Sequence, residues 1–219
     1  MSILVVSPHP DDETLGASGL LLKSKSKGEK IYWLIVTNMK EEYGFKKEVV
    51  QRRNNEIMKV ENEYKFDKTF NLQLKPAFLH EYNEVEVIGE ISKIINTIKP
   101  DTVILPNRFD VHSDHKKVFS WCYACSKIFR YPFIKKILTM EILSETDFAP
   151  KGENFSPNYF VDVSEYMDKK IDILKIYKSE LGEHPFPRSI EGIISLAKLR
   201  GISAGVKYAE AFEILKLIE

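Results

Sequence analysis

Cysteine is scarce, with two in 219 residues, and no disulfide framework can be built from them. Cys122 and Cys125 form a C-x-x-C inside VFSWCYACSKIF. That stretch is apolar and helical, with no second pair and no preceding strand. A redox pair or half a zinc site therefore gives way to two small core hydrophobes. An excess of either charge is also missing: Lys plus Arg number 32 and Asp plus Glu 32. This balance excludes a field built for nucleic acid or for an anionic membrane surface. No apolar run approaches the roughly 20 residues that a membrane span needs. The chain starts on a strand-like run without a charged leader or cleavage site, so a cytoplasmic protein is expected. Internal repeats and low-complexity tracts are absent. Histidine is rare as well, five in all, and three of the five fall in two short polar stretches.

What is present is an alternation of short apolar runs and helical segments. Strands are expected at Ile3–Val6, Ile31–Thr37, Lys68–Leu72, Thr102–Leu105, Ile137–Leu143 and Tyr159–Val163. Helices are expected at Leu15–Lys27, Glu48–Glu63, Val85–Ile98 and Lys117–Phe129. Further helices are expected at Glu165–Lys178 with Ser164 as N-cap, at Ile190–Arg200 and at Tyr208–Ile218. Strands alternating with helices predict an α/β fold: one Rossmann-like domain over 1–219, its mostly parallel sheet covered by helices on both faces. The portion from about 164 to 219 is expected to be helical and packed on that sheet.

The first polar stretch is PHPDDE, directly after the first strand. Its prolines push their preceding residues toward extended backbone, so His9 sits on a loop at a strand's carboxyl end. Open α/β sheets bind ligands there. A helix cap and dipole complement account for one aspartate. Asp11, Asp12 and Glu13 together behind His9 crowd like charges, which a cation, most simply a metal ion, would relieve. The second stretch, D-V-H-S-D-H at 110–115, follows the Thr102–Leu105 strand. A solvated helix start capped by Ser113 or Asp114 accounts for it in part. If the two strands are neighbours, however, the two loops face each other across one crevice. His80 and His184 read as loop residues without carboxylate partners.

PHPDDE after the first strand and HSDH after a later one resemble the PIG-L/LmbE family of zinc-dependent de-N-acetylases. R-N-N-E at 53–56 is similar to a family R-x-x-E, and RGISAGVKYAEAF at 200–212 looks most like the bacillithiol-pathway branch, which deacetylates N-acetylglucosaminyl malate. The resemblance spans residues 3 to about 215. It departs at Ser18–Gly19, where the family has two glycines, and it is weak in the middle third. It implies hydrolysis of an N-acetyl group from an N-acetylglucosamine-type sugar or conjugate, with Zn2+ held by His9, Asp12 and His115 and one position left open. It also implies Asp11 as general base and His112 as oxyanion donor, held as imidazolium by Asp114. Asp114 should then raise the pKa of His112.

Arg53 reads in isolation as an i,i+3 partner of Glu56, worth ~0.2–0.5 kcal/mol. The resemblance makes it a substrate contact. Arg108 and Arg188 are further cations for an anionic aglycone, against a default of solvated surface arginines. Two histidines and a carboxylate also make the facial triad of non-haem Fe(II) enzymes, in which Asp11 has no role. A silent sugar-binding module would be expected to have lost Asp11 or a ligand. An amidase cutting a larger acyl group is the nearer alternative. The expected partner is a small N-acetylated amino sugar or glycoconjugate, and a homo-oligomer is compatible with the sequence. The substrate is set by loops such as 43–45, 149–158 and 182–189, which spacing does not decode.

Overall fold

Ile3 and Val5 pack on one side of the central sheet, while Leu4 and Val6 pack on the other. This is why the first strand reads as an unbroken apolar run: both of its faces are buried. The computed structural model describes residues 1–219. In chain order the larger elements are β1 (Ser2–Ser7), α1 (Asp12–Ser26), β2 (Lys30–Thr37), α2 (Lys47–Tyr64) and β3 (Lys68–Leu74). Next come α3 (Glu84–Ile98), β4 (Thr102–Leu105), α4 (Ser113–Ala124) and β5 (Lys136–Met140). The chain ends with β6 (Tyr159–Asp162), α5 (Met167–Leu174), α6 (Ile190–Ala204) and β7 (Ala209–Leu217).

One seven-stranded sheet runs in the order β3-β2-β1-β4-β5-β7-β6. The pairings from β3 through to β5 are parallel, and β7 is antiparallel to both β5 and β6. Helices α1, α2, α5 and α6 bury their apolar sides on one face through residues such as Leu21, Ile57, Ile171 and Ile193. On the other face α3 and α4 do the same through Ile91, Val118 and Trp121. The mostly parallel α/β sheet with helices on both faces is as the alternation predicts. β1 and β4 are hydrogen-bonded neighbours, and the chain leaves them in opposite directions along the sheet. The loops after them therefore open into a common crevice. No helix is long and apolar enough to cross a membrane.

Three expectations need correction. Tyr208–Ile218 is not a helix: Ala209–Leu217 is a strand inserted between β5 and β6. Its register slips between Ile137 and Leu138, which pair with Lys216 and Ile214. Leu215 is thus the extra residue of a bulge, and it moves the apolar pattern to the other face halfway along the strand. Helix α5 covers only Met167–Leu174. Ser164 does not cap it, but donates to Asp162 (2.6 Å) and accepts from the Tyr208 N–H (3.2 Å). Helix α4 begins at Ser113, four residues earlier than expected, and ends at Ala124. Cys122 and Cys125 are free and buried, with burial pushing both thiols up and so keeping them protonated.

Candidate active site

The loop between β1 and α1 is pinned from several sides. The Pro8 carbonyl accepts from the backbone N–H and the hydroxyl of Thr37 (3.0 and 2.8 Å). The Pro10 carbonyl accepts from Nη1 of Arg53 (2.7 Å). Glu13 lies beneath, fully buried, accepting from the Asp11 N–H (3.1 Å), the Thr14 hydroxyl (2.6 Å) and the Tyr177 hydroxyl (3.0 Å). Burial nevertheless pushes the Glu13 carboxyl up to about 7.

Asp11 is the N-cap residue of α1 by position, yet its side chain makes no capping hydrogen bond. Its carbonyl begins the helix, accepting from Thr14 and Leu15 N–H. Its φ of 140° is outside the regions an L-residue adopts without strain. This backbone sends the carboxylate into the crevice, where Nη1 of Arg188 donates to it at 3.2 Å. Burial and the neighbouring Glu180 raise its pKa to about 6, with Arg188, Arg53 and His9 pulling the other way.

His9, Asp12 and His115 converge. Oδ2 of Asp12 lies 3.6 Å from Nδ1 of His9 and 3.5 Å from Nε2 of His115. Both gaps are too long for hydrogen bonds. They are close to the spacing of about 3.3 Å between two ligands bound at ~2.05 Å to a tetrahedral ion. The remaining nitrogen of each ring meets a carboxylate: Nδ1 of His115 is 2.8 Å from Asp110, and Nε2 of His9 is 3.0 Å from Asp114. With protons on those nitrogens, the inward ones keep free lone pairs, the usual outer support of histidine ligands. Burial holds His115 well below its ordinary pKa and hence neutral. Burial and the charge of Asp11 push Asp12 well up, a cost that a cation would remove. The three side chains can hold a metal ion, and two histidines with one carboxylate suit zinc. His9, His112 and Asp114 form an overlapping group. There, however, the His9 nitrogen is spent on Asp114 and His112 Nδ1 on a backbone N–H.

His112 departs from the expectation. It caps α4, with Nδ1 accepting the Asp114 N–H at 3.1 Å. The Asp114 carboxylate instead takes His9 and the Ala77 N–H (2.7 Å), and these bonds hold it below its usual range despite burial. Asp114 thus orients His9, not His112. Burial and the nearby His9 lower the His112 pKa, outweighing the upward pull of the Asp114 charge. The ring is neutral near pH 7, with its proton on Nε2.

These loops border a cavity of about 300 Å³ whose lining includes all three histidines, Asp11, Asp12, Phe45, Glu145 and Glu180. Arg53 and Arg188 line it too, but Arg108 does not. Arg108 lies half-exposed over Phe109, 3.9 Å from Glu213. Arg53 is buried and pairs with Glu56 (3.3 Å) and with Glu180. Arg188 reaches Glu180 at 3.6 Å, and its buried Nε has no partner. Sequence reasoning missed Asp110, although five residues before His115 it lay inside the motif. It also missed Glu13 as a loop anchor, and Tyr177 and Glu180. The last two come from a segment that reaches the site only through tertiary packing, so no local pattern marks them.

The profile of the family described as PIG-L, GlcNAc-PI de-N-acetylase, matches residues 4–126. The diacetylchitobiose deacetylase of Thermococcus kodakarensis is 23% identical, over 97% of this chain and 82% of its own. The probable N-acetyl-alpha-D-glucosaminyl L-malate deacetylase 2 of Bacillus subtilis is 25% identical, over 81% of this chain and 82% of its own. Among solved structures, N,N'-diacetylchitobiose deacetylase from Pyrococcus horikoshii superposes with a TM-score of 0.79 at 20% identity, covering 98% of this chain and 84% of that one. GalB, the 4-carboxy-2-hydroxymuconate hydratase of Pseudomonas putida, gives 0.77 at 15% identity, covering 100% and 98%. A deacetylase and a hydratase share this fold, so chemistry must be argued from the site.

Proposed function

The chain belongs to the PIG-L, GlcNAc-PI de-N-acetylase, family, and from that premise we propose that it hydrolyses the N-acetyl group of an N-acetylglucosamine-type amino sugar or its conjugate. The supporting observation is the strained Asp11, whose carboxylate enters the cavity beside three convergent ligand atoms instead of capping its helix. His9, Asp12 and His115 would hold zinc, which supplies a Lewis acid for the amide carbonyl and acidifies water.

Asp11 takes the proton from the attacking water and returns it to the amine nitrogen as the C–N bond breaks. A carboxyl near pH 6 is placed for both halves of that exchange, since it ionises below neutrality and regains a proton readily. Arg188 fixes its direction through the 3.2 Å bond. His112 donates from Nε2 to the carbonyl oxygen as charge builds there, and its Nδ1 bond to the Asp114 N–H holds the ring in that tautomer. A neutral imidazole suffices for this.

The test is a mass-spectrometric screen of chelator-treated, zinc-reloaded protein against N-acetylglucosamine, N,N'-diacetylchitobiose, N-acetylglucosaminyl malate and longer-acyl analogues. Free amine and acetate are expected from at least one acetylated member, and at a rate lower by roughly 10²–10⁴ after Asp11→Asn. Metal-loaded protein that releases no acetate from any of them would exclude the reading. Reloading with Fe2+ in parallel compares the two metals directly.

A further inference from the structure

A second cavity, also about 300 Å³, adjoins the first, and the two share Asn38 and Met39 as a common wall. Consecutive residues of α2 serve them: Arg53 lines the first and Asn54 the second. Val50 and Gln73 complete the wall of this groove, with the acids Glu41 and Glu42 alongside. None of these residues has a part in the hydrolysis.

The chemistry of the groove is that of amides. Asn38 is fixed, its Nδ2 donating to Oδ1 of Asn54 (3.2 Å) and its Oδ1 accepting the Met39 N–H (2.9 Å). The Asn54 nitrogen and the whole Gln73 side chain remain as donors and acceptors at the wall. Gln73 has a left-handed φ of 55°, which its own N–H to Asn71 Oδ1 and the Tyr43 hydroxyl on its carbonyl maintain (both 2.9 Å). Holding a non-glycine residue there costs roughly 1 kcal/mol.

Charge narrows the ligand further. Both guanidinium groups of the first cavity already carry carboxylates, Arg53 those of Glu56 and Glu180, and Arg188 those of Asp11 and Glu180. The one cation of the groove, Lys40, is paired with Glu42 at 3.1 Å, which leaves Glu41 uncompensated. A carboxylate or phosphate on a unit seated in the groove would find no unpaired cation there and would meet the like charge of Glu41. Hydroxyl groups, which donate and accept at once, match amides and acids.

We propose that the groove is a second subsite for an uncharged glycosyl unit. The substrate is then a neutral oligosaccharide, its N-acetylated ring at Asp11 and its next ring over Met39 between Asn54 and Gln73. The assignment of the reacting ring rests on the deacetylase reading; the neutrality and amide character of the groove do not.

Equilibrium binding by calorimetry on the zinc-loaded Asp11→Asn protein, in which turnover is slowed, tests it. The 1-phosphate is measured also on chelator-treated wild type, where Asp11 still occupies Arg188. N,N'-diacetylchitobiose should bind about tenfold or more tighter than N-acetylglucosamine, with N-acetylglucosamine 1-phosphate weaker than the disaccharide. Gln73→Ala and Asn54→Ala should each cut the disaccharide preference by about three- to tenfold, as the loss of one neutral hydrogen bond does. Equal affinity for the two sugars, a tighter 1-phosphate, or a preference untouched by both variants overturns the proposal. Wild-type deacetylation without disaccharide preference would leave the reaction standing and remove the subsite. A preference without deacetylation would do the reverse.

Discussion

Asp114 and His9 are partners: the aspartate Oδ2 lies 3.0 Å from His9 Nε2, while Nδ1 of the same ring faces Asp12 at 3.6 Å. The carboxylate that the motif places beside His112 therefore serves the candidate metal centre. Asp114→Asn should weaken zinc binding by about 10- to 100-fold, as the loss of an outer-shell carboxylate does. Chelator competition measures this, and an unchanged zinc affinity would detach Asp114 from the centre.

Asp11 stands apart from the ligand set, pointing at Arg188. Asp11→Asn should retain zinc and lower turnover by roughly 10²–10⁴. Metal analysis and rate are to be measured on the same preparation. A variant that loses its zinc would make Asp11 a ligand and redraw the site.

Much of this was legible in the sequence, because the strands that carry the site are buried on both faces and flanked by prolines. Ile3–Val6 and Thr102–Leu105 announce themselves as β1 and β4, and their polar sequels mark the crevice. β7 was not legible. Its alanines, glutamates, leucines and lysine favour a helix, and the Leu215 bulge hides the period of two. Pairing with β5 and β6 overrides the propensity. The partner of Asp114 was hidden for a related reason. Helix α4 starting at Ser113 turns the Asp114 N–H toward His112 and its carboxylate toward a loop more than a hundred residues earlier.

Gly19 faces Val163 so closely that an added Cβ would lie 2.3 Å from the valine Cγ1. Close packing of α1 against Val163 thus leaves no room for a side chain at Gly19. Gly19→Ala should cost about 1–3 kcal/mol through overpacking, lowering Tm by about 2–4 °C per kcal/mol in a domain of this size. Val163→Gly, which removes both the Cγ1 and the Cβ (2.5 Å) that meet the added atom, should recover part of the overpacking in the double variant. Val163→Ala, which keeps the Cβ, should recover less. A Gly19→Ala protein with the wild-type Tm would contradict the contact.

Arg188 and Glu180 act on Asp11 with opposite sign, which makes the pH profile diagnostic. As general base Asp11 must be ionised, so kcat/KM should fall as pH drops through its pKa, about 6 from burial and Glu180 against the arginines. Arg188→Met removes a cation 3.2 Å away. The Asp11 proton is then held more tightly, and the acid limb moves to higher pH. Glu180→Gln removes a like charge, favours the ionised carboxylate and moves the limb to lower pH. A bound cation lowers the starting point for all three proteins and leaves the two signs unchanged. Rates measured from pH 4.5 to 8 on wild type and both variants decide the matter. Limbs that shift together, or not at all, would assign the ionisation to a group other than Asp11.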